Sequence, residues 1–406
     1  MSESKSTEKK PTGPLAGLRV LELGVLIAGP FCGQLLGDLG AEVIKIEPPG
    51  QGDPFREWGL VRPKGRSVWF ATIGRNKRYA TLDLRNSEGQ QALRDLARRA
   101  DMIVENFRPG TLEKWGLGYD VLKALNPGLI LVRVSGYGQT GPNAPKAGYA
   151  SVGEAMGGLR AVIGEPDRKP ARAGISLGDS LAATFAALGA LAALEHRRRT
   201  GEGQIVDSAI YEAVLAMMES LIPDYQMGGY VRPRTGSYLP KLAPSNLYDA
   251  ADGMVIIAAN QDGVFARLCD AMEMPEWKND PRFATHLARG DNQIELDALI
   301  DAWARRHSCA ELEALCERHA VPCGRVNTAK ELLADPHVAA REAIVSVQDD
   351  LLGELKMQGV FPKFSATPGN VRWPAKEMGA DNAYVFGEIV GYDEAKIAAL
   401  AGAGVI

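Results

Sequence analysis

Apolar residues fall into two rhythms along the chain. Short runs at 18–23, 42–47, 79–84, 101–105 and 129–134 are rich in Val, Ile and Leu and are bounded by Gly, Pro or charged residues, which predicts strands. Between them, 30–39 and 88–99 carry apolar residues at helical spacing. Strands and helices alternating in this way predict an α/β fold on a Rossmann-like, doubly wound parallel sheet. Farther on, an apolar helix over 181–199 stops at Thr200-Gly201, with Arg197, Arg198 and Arg199 in its last turn. A strand over 204–208 and a helix over 211–225 follow. The stretch 228–244, rich in Gly, Pro and Arg, reads as a linker into a second domain. There a strand at 254–259, helices near 263–272, 295–306 and 310–319, and a strand at 324–327 are predicted. Two strands within 344–364 and short helices at 383–390 and 393–401 complete the chain.

Composition narrows the function classes. The 406 residues exceed one ordinary core, so two domains are expected. A net charge of −4, with 46% hydrophobic and 24% charged residues, gives no basic footprint for nucleic acid or an anionic membrane, and neither is expected as a partner. No uninterrupted apolar run reaches the ~20 residues of a bilayer span. Residues 1–13 are polar and Ser/Lys-rich, so a loose tail and a cytoplasmic location are expected. The five cysteines contain no C-x-x-C pair and the five histidines no ligand spacing, which predicts reduced thiols and no metal.

The turn after the first strand, Gly24 to Gly33, departs from G-x-G-x-x-G and carries Pro30, which has no amide to offer a phosphate; nicotinamide and flavin are therefore not expected. The segment 51–78 is long, broken by Gly and Pro, and holds Arg56, Arg62, Lys64, Arg66, Arg75, Lys77 and Arg78. It is either a solvated surface excursion or an anion-binding arm. The glycine-punctuated loop after Val134 sits where open α/β sheets bind ligands. Gly178-Asp179-Ser180 places a carboxylate at the start of the long apolar helix, and the residues alone leave open whether Asp179 caps the helix or acts as a nucleophile.

An ordered series of motifs goes further. Ala28-Gly29-Pro30, Gly40-Ala41 through Lys45 to Glu47, Arg75-Asn76-Lys77-Arg78, Glu105-Asn106-Phe107-Arg108-Pro109-Gly110, Gly136-Tyr137-Gly138, Gly178-Asp179, Thr200-Gly201 with Gly203-Gln204, and Val321-Pro322-Cys323-Gly324 occur in this order. The chain resembles the family III CoA-transferases, the group of formyl-CoA transferase and the carnitine CoA-transferase. The resemblance implies an interlocked homodimer whose large domain is built from both chain ends around a smaller inserted α+β domain. The expected boundaries are a tail at 1–13, a large CoA-binding domain at 14–227, a linker at 228–244, a small domain at 245–335 and a return to the large domain at 336–406. It also implies Asp179 as the catalytic residue. CoA contacts would fall on Ile27, Ala28, Gly74, Arg75, Asn76, Lys77, Asn106, Phe107, Arg108, Lys114, Val134, Ser135, Gly136 and Tyr137. No permanently bound cofactor is implied; CoA and acyl-CoA are substrates.

The implied chemistry transfers CoA from an acyl-CoA to a carboxylic acid through an aspartyl anhydride and an aspartyl-CoA thioester. Two departures stand out. Gly148-Tyr149-Ala150 and Glu154-Ala155 replace the Gly-Tyr-Asp and Gln-Ala of many relatives, and the glycine-repeat loop of formyl-CoA transferase is absent near 236–246. The latter weighs against oxalate and formate. The basic segment and Arg172 suggest a second carboxylate, hence succinyl-CoA or another dicarboxylyl-CoA as donor. An α-methylacyl-CoA racemase-like enzyme is an alternative, although Tyr149 stands where its His is expected. A non-catalytic CoA-binding subunit of a heteromer is another.

Overall fold

The computed structural model describes residues 12–406, so the expected tail lies outside the described residues up to position 11. The chain divides into two compact units. One comprises the residues up to Leu159 with Ala173–Pro223 and Ala339–Ile406, and the other comprises Arg160–Arg172 and Asp224–Val338. Both chain ends therefore build the larger unit.

The larger unit holds six parallel strands: β1 (Arg19–Glu22), β2 (Glu42–Glu47), β3 (Lys77–Thr81), β4 (Met102–Glu105), β5 (Ile130–Ser135) and β6 (Ile205–Ala209). Their spatial order is β3-β2-β1-β4-β5-β6, the doubly wound arrangement the apolar strands predict. Its helices are α1 (Ala28–Asp38), α2 (Val68–Ile73), α3 (Ser87–Ala97), α4 (Thr111–Lys114), α5 (Tyr119–Leu125), α6 (Ala150–Met156), α7 (Leu159–Val162, running into the smaller unit), α8 (Leu177–Thr200) and α9 (Ile210–Leu215). Successive strand residues serve opposite faces. Val20, Val43, Met102 and Val132 are buried with residues of α1 and α8, whereas Leu21, Ile44, Ile103 and Leu131 are buried with α3 and with Val385, Phe386 and Leu400 near the C-terminus. That two-sided burial is why these strands are apolar throughout.

Helix α8 starts four residues before the predicted 181, so Asp179 lies inside its first turn and Ser176 is the N-cap. It has 24 residues, and its most apolar 18-residue window reaches a mean hydropathy of 1.6, so by length and composition alone it could cross a membrane. In the fold its stripe of Ala182, Ala183, Ala186, Ala190 and Ala193 is buried with α1 and the sheet. Small side chains allow this close approach: a Cβ on Gly189 would stand 2.6 Å from Val206 Cγ1. The helix predicted over 211–225 is two helices, α9 and α10 (Leu221–Gly228), separated by a turn in which Glu219 has φ 52°.

The smaller unit contains an antiparallel sheet of β7 (Ser245–Ala250), β8 (Gly253–Ala258) and β9 (Cys323–Arg325), with α11 (Asp262–Ala271), α12 (His286–Asp291), α13 (Gln293–Ala304) and α14 (Cys309–Arg318). Strand β7 escaped prediction because Ser245-Asn246-Leu247-Tyr248-Asp249-Ala250 buries only Tyr248 fully. Cys269, Cys309 and Cys316 are buried in this unit's core.

The C-terminal segment returns to the larger unit through the hairpin β10 (Ile344–Asp349) and β11 (Gly353–Gln358) and then covers the edge strand β3. Asp381 accepts the Tyr79 amide at 2.8 Å and Asn382 accepts the Thr81 amide at 2.8 Å. Side chains thus occupy hydrogen-bonding positions that would otherwise leave the sheet edge open. Residues 383–390 form a π-helix instead of the predicted α-helix, followed by a helix at Glu394–Gly402.

Beneath the C-terminal ends of β1 and β2 lies a closed set of charges. Lys45 Nζ stands 3.1 Å from Glu22 and 2.8 Å from Asp53, and Lys77 Nζ stands 2.8 Å from Glu22, all four side chains being almost fully buried. Glu47 joins by accepting the Asp53 amide at 2.8 Å and pairs outward with Arg56 at 2.6 Å. The Glu22–Lys77 contact has ion-pair length, although Glu22 Oε2 lacks hydrogen-bond alignment. Burial and the neighbouring Lys45 charge lower Lys77 despite Glu22, whereas Lys45, facing Asp53, Glu22 and Glu47, is raised in spite of its burial. Breaking such a pair strands a buried charge and costs about 3–5 kcal/mol.

Burial alone would raise Asp53, but Lys45 and the amides of Leu26 and Phe55 outweigh it and hold the carboxyl below its ordinary range. A depressed carboxylate stabilises the fold above its unfolded pKa and loses that contribution as pH falls through the folded value. Asp53→Asn is therefore expected to be less stable than wild type at neutral pH, with the gap narrowing below about pH 4. Urea unfolding of both proteins across pH checks this; a gap independent of pH contradicts it.

Candidate active site

The order of the strands reverses between β1 and β4, and the loops leaving the C-terminal ends of these strands meet there. Asn106, the residue after β4, grips the loop after β1 from both sides. Its Oδ1 accepts the Val25 amide at 2.8 Å and its Nδ2 donates to the Val25 carbonyl at 2.9 Å. Gly24 and Gly29 permit this closeness, since a Cβ on either would lie 3.0 to 3.2 Å from Asn106 Oδ1. Asp53 accepts the amide of Leu26, which holds a left-handed φ of 63°, at 3.0 Å. Ile27 and Ala28 are thereby fixed, nearly buried, at the start of α1.

Phe107 packs edge-on against Trp115 at 5.3 Å, and its amide donates to Glu105 at 2.6 Å. Arg133 binds that same Glu105 at 2.6 Å and Glu113 at 2.7 Å. Burial raises the Glu105 carboxyl even so; at Glu113 burial acts the same way, but Arg133 outweighs it and the group is lowered. Arg108 and Lys114 are exposed and carry no salt bridge among the described residues.

Val134 and Ser135 end β5 as buried residues, and Ser135 Oγ accepts the Gly138 amide at 3.0 Å. A Cβ on Gly136 would lie 2.8 Å from Gly148 Cα, and one on Gly148 would lie 3.1 Å from the Tyr137 ring. The loop after β5 is therefore pressed onto the residues that lead into α6. Because α8 crosses from β5 to the parallel β6, its N-terminus returns to the same C-terminal edge. Asp179 stands there, half-buried, at the third helical position and the positive end of the helix. Ile27, Ala28, Asn106, Phe107, Arg108, Val134, Ser135, Gly136, Tyr137 and Asp179 thus share one edge, with Lys114 on α4 just after the Asn106 loop.

Gly74, Arg75 and Asn76 are placed differently. They precede β3 and meet the C-terminal end of α1, an 11-residue helix about 16 Å long, whereas Ile27 and Ala28 stand at its start. Arg75 binds Asp38 through Nε and Nη2, the latter at 2.6 Å, and Asn76 Nδ2 donates to Asp38 at 2.7 Å. Asn76 Oδ1 also accepts the Arg372 amide at 2.7 Å, and the Trp373 indole donates to the Lys77 carbonyl at 2.9 Å. Gly74 has no room for a side chain, because a Cβ would lie 2.1 Å from the Tyr79 hydroxyl. Only Lys77 reaches back, its ammonium donating to the Pro30 carbonyl at 2.7 Å from a fully buried position.

The remaining cations of 51–78 are likewise engaged. Arg56 pairs with Glu47, Arg62 with Glu57, Arg66 with Asp349 and Glu377, and Arg78 with Asp381. Lys64 donates to the Leu351 carbonyl at 2.6 Å. Residues 57–65 remain exposed, while Arg56, Lys64, Arg66 and Arg78 tie the segment to the C-terminal return. Asp53 and Glu154 carry more of the local geometry than the sequence suggested. Asp53-Pro54 did hold a signal, an acceptor before Pro at the first turn of a short helix, and Asp53 accepts the Phe55 amide at 2.9 Å. A cavity of about 420 Å³ beside the β10–β11 hairpin, lined by Val345, Val360, Phe364 and Val371, includes none of these site residues.

A family model described as CoA-transferase family III matches residues 15–382. The sequence is 57% identical over 395 residues to a succinyl-CoA–D-citramalate CoA-transferase of Chloroflexus aurantiacus, covering 97% of this chain and 98% of that protein. It is 38% identical to the beta subunit of a succinyl-CoA–L-malate CoA-transferase from the same organism, over 95% of this chain and 96% of that subunit. The crystal structure of a CAIB/BAIF family protein from Brucella suis matches with a TM-score of 0.83 at 34% identity, covering 93% of this chain and 100% of that one.

The Asn106 clamp has a measurable consequence. Asn106→Ala removes both partners of Val25, at about 1–3 kcal/mol for the groups left unpaired. Amide hydrogen exchange over 25–28 is expected to accelerate at least ~10-fold. Unchanged protection there would show that Asn106 does not hold the loop.

Proposed function

The chain belongs to CoA-transferase family III, and on that premise we propose that it moves CoA from succinyl-CoA to a dicarboxylic acid of the citramalate or malate type, with Asp179 as nucleophile. It is a CoA-transferase; its substrates are an acyl-CoA and a carboxylic acid. The observation that carries the assignment of Asp179 is its place in the first turn of α8, on the sheet edge shared with Ile27, Asn106 and Gly136. The two Chloroflexus relatives, named for succinyl-CoA with D-citramalate and with L-malate, support this choice of donor and acceptor. The cations of 51–78 lend no support to the choice of a dicarboxylate, because they are internally paired.

An Asp179 oxygen attacks the thioester carbon and CoA leaves as thiolate, giving a mixed aspartyl–succinyl anhydride. The thiolate then attacks the aspartyl carbonyl, releasing succinate and forming an aspartyl-CoA thioester. The acceptor carboxylate attacks that thioester and expels the thiolate, and the thiolate takes the acceptor's acyl group from the second anhydride. Asp179 is regenerated, and no net proton is gained or lost. Splitting the transfer in this way replaces one hard step by several easier ones. Backbone amides of the glycine loops are suited to the transient oxyanions, each worth about 3 kcal/mol. Arg108 and Lys114 are suited to the phosphates of CoA. Gly74, Arg75, Asn76 and Lys77 act mainly as scaffold in this scheme.

We further propose an interlocked homodimer in the cytoplasm. The stretch 217–231 exposes Met217, Ile222, Tyr225, Met227 and Val231, apolar side chains that a second chain could cover. Pairing with an unlike subunit is the second possibility, since the L-malate relative is itself named as a beta subunit. Light scattering on the purified chain separates the two.

Asp179→Asn is expected to fold normally and to lose at least ~10³-fold in transfer from succinyl-CoA. In wild type, borohydride or hydroxylamine trapping with the donor alone is expected to mark Asp179 in peptide mass spectra. Substantial turnover by the variant, or a mark on another residue, overturns the assignment.

A further inference from the structure

The N-terminus of α8 lacks a conventional cap. Ser176 is the N-cap, but its side chain accepts no first-turn amide. A helix start leaves several amides in need of acceptors. One of them, the Gly178 amide at the second helical position, donates to Oε1 of Glu154 at 3.2 Å. Glu154 lies on α6, 24 residues earlier, and is 0% exposed. A buried carboxylate from a neighbouring helix thus does the work of the missing cap, one residue before Asp179.

Glu154 is itself held in place. Helix α6 turns Gly153 and Gly157 toward α9, and the packing leaves room for nothing larger. A Cβ at Gly153 would lie 2.5 Å from Ile210 Cγ2, and one at Gly157 would lie 2.7 Å from Val214 Cβ and from the Tyr211 carbonyl. The same Ile210 flanks the other side of the contact. A Cβ at Gly178 would lie 3.1 Å from Ile210 Cγ2 and from the Ala150 carbonyl, and 3.3 Å from Glu154 Cγ. The peptide that leads into Asp179 is therefore bracketed by α6 and α9 and anchored at its nitrogen by Glu154.

We propose that Glu154 is a positioning residue for Asp179: by accepting the Gly178 amide it fixes the first turn of α8 and with it the direction in which the Asp179 carboxylate meets the thioester carbon. This rests on Asp179 being the nucleophile. Near-attack geometry is sensitive to displacements of about 1 Å, which change rates by as much as ~10²-fold. The expected signature is accordingly in the chemical step and not in substrate binding. Glu154→Gln keeps an oxygen acceptor of the same reach, whereas Glu154→Ala removes it. Gly178→Ala disturbs the same contact from the other side, by crowding Ala150 and Ile210.

The test measures single-turnover formation of the Asp179 adduct from succinyl-CoA, normalised to the trappable Asp179 sites, together with steady-state KM. Glu154→Ala is expected to slow adduct formation about 10- to 100-fold per site, with KM for succinyl-CoA within about threefold of wild type. Glu154→Gln is expected to recover to within about threefold of wild type. If Glu154→Ala yields too little folded protein, Gly178→Ala is expected to show the same loss per site. A purely structural role predicts fewer trappable sites with an unchanged rate per site, and that result overturns the proposal. So does a Glu154→Gln enzyme as slow as Glu154→Ala, because the requirement would then be for charge and not for an acceptor. Absence of any Asp179 adduct in wild type would instead remove the nucleophile on which both readings stand.

Discussion

The cluster of Glu22, Lys45, Lys77 and Asp53 is the constraint from which the geometry of the larger unit follows. Two ammonium groups and two carboxylates, all nearly inaccessible to water, tie the ends of β1 and β2 to the start of β3. Each charge is tolerable only while its partners stay within about 3 Å, so the strands and the loop after β1 cannot move independently. Asp53 extends the cluster outward by accepting the Leu26 amide, and Lys77 extends it by donating to the Pro30 carbonyl. Cys32, beside the cluster, shows how dry the region is: burial, reinforced by Glu22, pushes its thiol up to about 12.

The sheet edge above that cluster is built mainly from backbone. Asn106 uses both polar atoms of its side chain on Val25, Ser135 accepts from Gly138, and Gly136 lies against Gly148. These side chains shape the loops, while Arg108 and Lys114 stay exposed. Preorganisation of this kind suits a reaction whose intermediates carry transient oxyanions, because fixed dipoles need not reorient as charge develops. The identification as a family III CoA-transferase and the placement of Asp179 on this edge are mutually consistent.

The basic residues of the chain divide into two populations. Those of 51–78 meet acidic or carbonyl partners within their own unit, many of them on the C-terminal return: Asp349, Glu377, Asp381 and the Leu351 carbonyl. They join two ends of the chain that lie some 300 residues apart in sequence, as in the 303-residue separation of Arg78 and Asp381. Half-buried pairs of this sort contribute more than solvent-exposed ones, whose median worth is below about 1 kcal/mol. Arg108 and Lys114 differ from these, being exposed and without a salt bridge among the described residues.

By itself, the sequence determined the parallel sheet, because strands buried on both faces must be apolar at every position, as in Val20-Leu21 and Val43-Ile44. It also determined the candidacy of Asp179, through an ordered set of motifs that no single spacing would have established. It could not decide which of these side chains are buried and internally paired, since a buried Lys77 and an exposed Lys114 are the same letter in the chain. Tertiary structure decided their internal partners, by bringing Glu22, Asp38 and the 370–373 segment to Lys77, Arg75 and Asn76 across as many as 296 residues. It also turned Asp179 from the mouth of a helix into its first turn and brought Glu154 beneath it from a different helix. Hydrogen-bond partners remote in sequence leave no local pattern, and a polar side chain's role is set by which of them arrives.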